Sequence, residues 1–138
     1  KKVLPAVLES STFLRERYSK PIYGADNGIA SKNFNDMTWW KEDAQGFVQD
    51  PYNALKDNEV ADQSAASLDS FDLEIAGGGD ASMAYGRLQF ETLPTETQTS
   101  IKDKLLRYCE LDTLAMAMIV EGWKTELYKK PFADGAAQ

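Results

Sequence analysis

The segment "LPTETQTSIKDKLLRYCELDTLAMAMIVEGWKTELYKKP", Leu93 to Pro131, constrains the fold more than any other part of the chain. It opens with a capping-box pattern, Thr95 followed three residues later by Gln98, and closes at Pro131. That punctuation predicts one long helix or two nearly continuous ones. Apolar residues recur inside it at Ile101, Leu105, Cys109, Met116, Ile119, Trp123 and Leu127, spacings that fit a period of about 3.6 residues per turn. Asp112 falls inside this stripe. At roughly 100° per residue it lies within about 20° of Leu105 and Ile119 in end-on view, so Leu105, Ile119 and Trp123 are expected to be largely buried on its side. An aspartate there needs compensation, as a hydrogen-bonded structural acid, as half of an ion pair, or as a metal ligand. Tyr108 lies one turn earlier, and an i, i+4 pair sends both side chains toward one place, where they could coordinate a cation and orient its water.

The rest of the composition removes whole classes of chemistry. A chain of 138 residues with 43% apolar content suits one modest domain with one core. The longest apolar run, Leu114 to Val120, is far short of the roughly 20 residues that cross a bilayer. With no signal-peptide pattern at the N-terminus, the expectation is a cytoplasmic protein with no membrane partner. The single cysteine, Cys109, excludes an intrachain disulfide, and its place in the stripe predicts a buried, inert thiol. Histidine is absent, which removes imidazole bases, imidazole metal ligands and Ser-His-Asp triads and leaves carboxylates as the candidates. The net charge of −7 argues against a general nucleic-acid-binding surface but is compatible with a metal–carboxylate site, where bound cations reverse the local sign.

Along the chain, residues 1–30 read as helices and a loop: a short helical turn, then a second helix capped by Ser10 or Ser11 that offers Phe13, Leu14 and Tyr18 to the core. Residues 31–52 predict a small hairpin about "EDAQG", with strands at Thr38–Lys41 and Phe47–Gln49. Trp39 and Trp40 would then face opposite ways, and packing outweighs a base-stacking platform as their role. Residues 53–70 are polar, small and acidic, the composition of a mobile connection. In the helical region 71–130, a brief extended stretch at Phe71–Ile75 precedes a Gly77-Gly78-Gly79 turn and a helix capped by Asp80. The glycines lack the lysine and hydroxyl residue of a phosphate loop and read as a backbone turn. Residues 131–138 form a frayed tail.

"YCELD" followed by "TLAMAMI" resembles the third motif, Tyr-x-x-x-Asp, of the tyrosine branch of the DEDD 3′-to-5′ exonucleases. "KKVLPAV", "DLEI", "DASMAYGRLQF" and "LLRYCELDTLAMAMI", in that order, further resemble the C-terminal half of an uncharacterised bacterial family, a domain of unknown function placed in that nuclease superfamily. The resemblance implies an α+β, helix-rich C-terminal fragment of an RNase H-like fold, with a long motif-bearing helix and a small β-hairpin. It makes Asp112 the last metal-binding acid and Tyr108 the hydroxyl that positions the attacking water. In such enzymes four carboxylates hold two divalent ions, Mg2+ or Mn2+. The one Asp-x-Glu here, Asp72 and Glu74, stands too close to Asp112 for the intervening strands and crossovers, and it follows "KKVLPAV" where the first motif should precede it.

The expectation is therefore a C-terminal piece of a larger protein, carrying one motif, silent and metal-free on its own. Its partners would be nucleic acid (in the parent), the remainder of the nuclease domain, and a second copy covering the exposed face. Two other readings stay open: an acidic helical protein-interaction domain in which Asp112 is structural, and a degenerate nuclease fold that binds without cutting.

Overall fold

A computed structural model of the chain describes residues 2–56, 75 and 77–129. Most of the expected connection at 53–70, Asp72 and Glu74 of "FDLEI", and the tail 131–138 lie outside the described residues.

The described chain is helix-rich: α1 (Val3–Ser10), α2 (Thr12–Tyr18), a 3-10 helix (Pro51–Leu55), α3 (Gly78–Phe90) and α4 (Thr95–Lys129). Local chemistry starts several of them. Ser11 ends α1 and caps α2, its hydroxyl accepting from the Leu14 backbone N–H at 3.3 Å. Asp50 does the same for the 3-10 helix, accepting from Tyr52 N–H at 3.1 Å, with Pro51 preset for the first position. Residues 53–55, expected in the mobile connection, thus belong to a short helix. The glycine run is the start of α3, with Gly77 as its N-cap and Asp80 in the first turn rather than at the cap. The Thr95–Gln98 capping box does not form, because the Gln98 side chain reaches back to the Leu93 carbonyl at 2.9 Å.

Helix α4 is unbroken over 35 residues, about 50 Å at 1.5 Å per residue, and α1, α2, α3 and the 3-10 helix all pack along it. Its inner face is Ile101, Tyr108, Leu111, Ala115, Met118 and Gly122, one step of seven followed by alternating steps of three and four. Against this face lie Leu4, Val7, Leu8, Leu14 and Tyr18 of the first two helices, Tyr52 of the 3-10 helix and Ala84 of α3. The expected stripe was rotated from this face. Ile101 is buried, Leu105 and Ile119 are half-buried at the flank, but Met116 and Trp123 are exposed at 66% and 55%, and Cys109 is exposed rather than an enclosed thiol. Gly122 explains the rotation: a Cβ there would stand 2.6 Å from Val7 Cγ1 and 3.0 Å from Leu14 Cδ1, so α1 and α2 approach α4 where the helix has no side chain.

The loop after α2 folds on an aromatic cluster. Trp39 stands edge-on to Phe34 at 4.9 Å and to Tyr23 at 5.7 Å between ring centroids. Trp39 is buried, and Trp40 is half-buried with its indole N–H donating to the Leu8 carbonyl at 3.0 Å, so both tryptophans pack. The hairpin of regular strands is not formed among the described residues. The chain does reverse at Gly46 (φ +84°), and Gln49 N–H donates to Lys41 O at 2.9 Å, but the pairing is a single isolated bridge between Glu42 and Val48. The Trp39 and Trp40 N–H groups instead both donate to the Tyr18 carbonyl, at 3.0 and 2.9 Å, which satisfies the last turn of α2 and takes these two residues of the first expected strand out of the pairing.

Candidate functional site

Helix α4 turns three carboxylates toward the first part of the chain, and each meets a tyrosine. Tyr18 OH donates to Glu121 Oε2 at 2.8 Å, with Arg17 Nε at 4.0 Å from the same oxygen. Glu110 is the most enclosed of the three by hydrogen bonds. Its Oε1 accepts from Tyr23 OH at 2.9 Å and Ser31 Oγ at 2.5 Å, and its Oε2 accepts from Asn33 Nδ2 at 2.5 Å. Burial by itself would raise the Glu110 pKa, but the bonds from Ser31, Tyr23 and Asn33 and the Lys32 backbone outweigh it and hold the carboxyl below the usual range. Glu110, Tyr23 and the 31–33 loop also line a shallow cavity of about 520 Å³ that Cys109 and Leu106 border. Sequence reasoning passed over Glu110, because its donors are 77 or more residues away and leave no local pattern.

Asp112, the acid singled out by sequence, is exposed and sits at the shoulder of the inner face. Its compensation comes from the 3-10 helix: Tyr52 OH donates to Asp112 Oδ1 at 2.5 Å. Among the described residues Asp112 meets no cation, so the ion-pair explanation fails there, and Oδ2 accepts no hydrogen bond. Tyr52 is buried, and its phenol is pushed up in pKa first by that burial and then by the Asp112 charge, which keeps it a donor.

Tyr108 and Asp112 stand one turn apart on α4, Tyr108 buried and Asp112 exposed, and Tyr52 lies near both. The Tyr52 and Tyr108 rings are 6.1 Å apart and inclined at 50°. Tyr108 is buried at 8% exposure, its hydroxyl 3.8 Å from where a Cβ on Gly78 would stand, at the start of α3. Burial raises the Tyr108 pKa, and the charges of Asp112, Cys109 and Asp80 add to the effect. The Asp50-Pro51 pair, an N-cap followed by a residue preset for the first helical position, was the one local signal that could have marked Tyr52 as held in place.

As a metal site the arrangement is incomplete. One carboxylate with one uncommitted oxygen is a fitting single ligand for a hard divalent cation, yet no group of three or more acidic or cysteine side chains that could hold a metal occurs among the described residues. No described helix is long and apolar enough to cross a membrane. No family model, no curated protein and no solved structure matches this chain.

Proposed function

We propose that this chain is the C-terminal part of a metal-dependent 3′-to-5′ exonuclease of RNase H-like fold, in which Tyr108 and Asp112 complete a site whose other carboxylates lie on a different segment of the parent protein. The observation that carries this reading is the state of Asp112. It is exposed, holds the Tyr52 hydroxyl by one oxygen, accepts no hydrogen bond at the other among the described residues, and stands one turn from Tyr108 on α4. A carboxylate so placed is suited to meet a cation from solvent, and a neutral phenol beside it is suited to orient a water molecule. When bound, a pair of divalent ions would supply the electrostatic clamp for in-line phosphodiester hydrolysis. The residues of this chain would contribute one ligand oxygen, Asp112 Oδ2, and one water-orienting hydroxyl, Tyr108. The apolar row Leu106, Met116, Val120 and Trp123, exposed on the side of α4 away from the inner face, would lie against the remainder of the nuclease domain.

The bond from Tyr52 favours a second reading, in which Asp112 is a structural acid of a helical protein-interaction domain and matches Glu110 and Glu121 in clasping a tyrosine. The two readings part in the full-length protein. With single-stranded DNA and RNA and either Mg2+ or Mn2+, Asp112→Asn should abolish hydrolysis without altering the circular dichroism spectrum. Tyr108→Phe should lower turnover less completely, since water can be oriented imperfectly without the hydroxyl. A folded full-length protein that cleaves neither substrate would overturn the nuclease reading and leave the structural one.

A further inference from the structure

The outer side of α4 carries a second periodic row. Leu106, Cys109, Thr113, Met116, Val120 and Trp123 follow one another at strictly alternating steps of three and four, and every one of them is exposed. The inner face at Tyr108, Leu111, Ala115, Met118 and Gly122 repeats the same rhythm two residues on, about 200° around the helix, so the outer row points away from the core. Steps that average 3.5 residues make the seam of a two-stranded coiled coil, because two helices that wind gently about each other keep such a row facing the partner. We infer that the occupant of this row is a second copy of this chain, lying antiparallel along α4 and related to the first by a two-fold axis that passes between Thr113 and Met116. Neither Tyr108 nor any metal chemistry enters. The nuclease reading sets the remainder of its domain against the same row, which makes that remainder the competing occupant.

Shape and charge both select this occupant and its direction. Leu106, Cys109 and Thr113, at one end of the row, border the shallow cavity of about 520 Å³ beside the 31–33 loop, whereas the bulkiest member, Trp123, stands 55% exposed at the other end. Antiparallel alignment about that axis sets Leu106 against the partner's Trp123, Cys109 against the partner's Val120 and Thr113 against the partner's Met116. Two-fold symmetry repeats each pair. The indole of each copy thus enters the hollow end of the other, a match that parallel strands, with Trp123 on Trp123 and Leu106 on Leu106, do not make. Asp103 and Lys124, both exposed, flank the two ends of the row on one side. Antiparallel strands bring Asp103 beside the partner's Lys124 at each end, which gives two pairs of opposite charge. Parallel strands would set Asp103 nearest the partner's Gln98 and Lys124 nearest the partner's Ile119, with no charge pair at either. The acids that border the middle of the row, Glu110 and Asp112, are engaged within their own chain, by Tyr23, Ser31 and Asn33 and by Tyr52.

The test is sedimentation velocity of the 138-residue chain across a wide range of concentration, with circular dichroism as the check on folding. Wild type should associate to a dimer. Met116→Glu, at an exposed position, should raise the dissociation constant by about tenfold or more with the spectrum unchanged, since the axis brings the two introduced carboxylates together. Asp103→Lys and Lys124→Asp should each weaken association by about threefold to tenfold, and the two changes combined should restore it. Single reversals without effect, or a double reversal that restores nothing, would overturn the antiparallel pairing. In this alignment the Cys109 sulfurs of the two copies lie roughly 16 Å apart along the axis, too far for a disulfide, so mild oxidation should yield no covalent dimer. Rapid formation of one would show parallel strands and overturn the inference. A chain that stays monomeric at every concentration would overturn it too and leave the row to the remainder of the nuclease domain. A dimer that Met116→Glu does not weaken would put the interface elsewhere, with the same consequence. Hydrolysis enters no arm of the test, so the nuclease reading stands or falls by its own experiment.

Discussion

The hydroxyls of Tyr18, Tyr23 and Tyr52 each meet a carboxylate of the same helix, and their chemistry makes stability sensitive to alkali. Burial, followed by the neighbouring carboxylate, pushes Tyr18 from 10.0 up to about 12 and raises Tyr23 and Tyr52 as well. A folded-state pKa above the unfolded value means that the native protein holds the phenol proton more tightly. That contribution is complete below pH 10.0 and is lost as pH rises toward about 12. Denaturation midpoints should therefore fall through this window, with phenolate absorbance in the folded protein lagging behind that of the unfolded chain. Glu110 works in the opposite direction: its carboxyl is held below 4.5, so its contribution is present above that pH and fades as pH falls further. For Asp112 the bond to Tyr52 sets the expectation. Asp112→Leu removes the acceptor that the Tyr52 hydroxyl meets and should cost about 1 kcal/mol, while Asp112→Asn keeps an acceptor oxygen and should lose less. Chemical denaturation of both variants at constant pH and salt measures the difference, and an unchanged Asp112→Leu would show that Tyr52 is satisfied by water instead.

Among the elements, α4 is decided as much by what it lacks as by its apolar residues. At Gly122 an added methyl would meet Val7 at 2.6 Å, and a β-branched side chain packed in a helix has little freedom to yield. Gly122→Ala gains roughly 1 kcal/mol in helix propensity, yet overpacking of this kind costs about 1–3 kcal/mol. A net loss is expected, read as a lower denaturation midpoint with the helical signal retained, and a stabilised Gly122→Ala would show that α1 shifts away freely. The Ser11 cap was legible because Ser, Thr, Asp and Asn before an apolar period carry a local physical meaning. The hairpin was not, because Trp39 and Trp40 are recruited as donors to the end of α2, 21 and 22 residues earlier, a partner that no local pattern announces.

At the scale of the molecule, α4 is a two-faced support. One face carries the core and the clasped acids; the other exposes Leu106, Met116, Val120 and Trp123. Asp112 lies at the shoulder of the first face, and among the described residues no group of three or more acidic or cysteine side chains forms about it. On the proposed nuclease reading the other carboxylates lie on a different segment of the parent protein, and two-metal phosphodiester hydrolysis needs them, so this chain by itself is expected to hydrolyse neither single-stranded DNA nor RNA with Mg2+ or Mn2+. Cleavage that survives rigorous purification and disappears in Asp112→Asn would show that the site is complete within these residues.

What the sequence by itself determined is local and periodic: a helix-rich chain, the two short helices meeting at Ser11, the length of α4, and the placing of Tyr108 and Asp112 one turn apart on it. Each follows from interactions between residues a few positions apart, where backbone geometry leaves little choice. Only the tertiary structure decided which face of α4 is buried, because Ala115 and Gly122 carry almost no hydrophobic weight in a pattern yet admit the closest packing. It alone decided the partners of Glu110, Asp112 and Glu121 as well, for those hydroxyls come from 60 to 103 residues away. Distance along the chain is the physical reason: a hydrogen bond is specified by where two groups end up in space, and a donor that far off leaves no mark beside its acceptor.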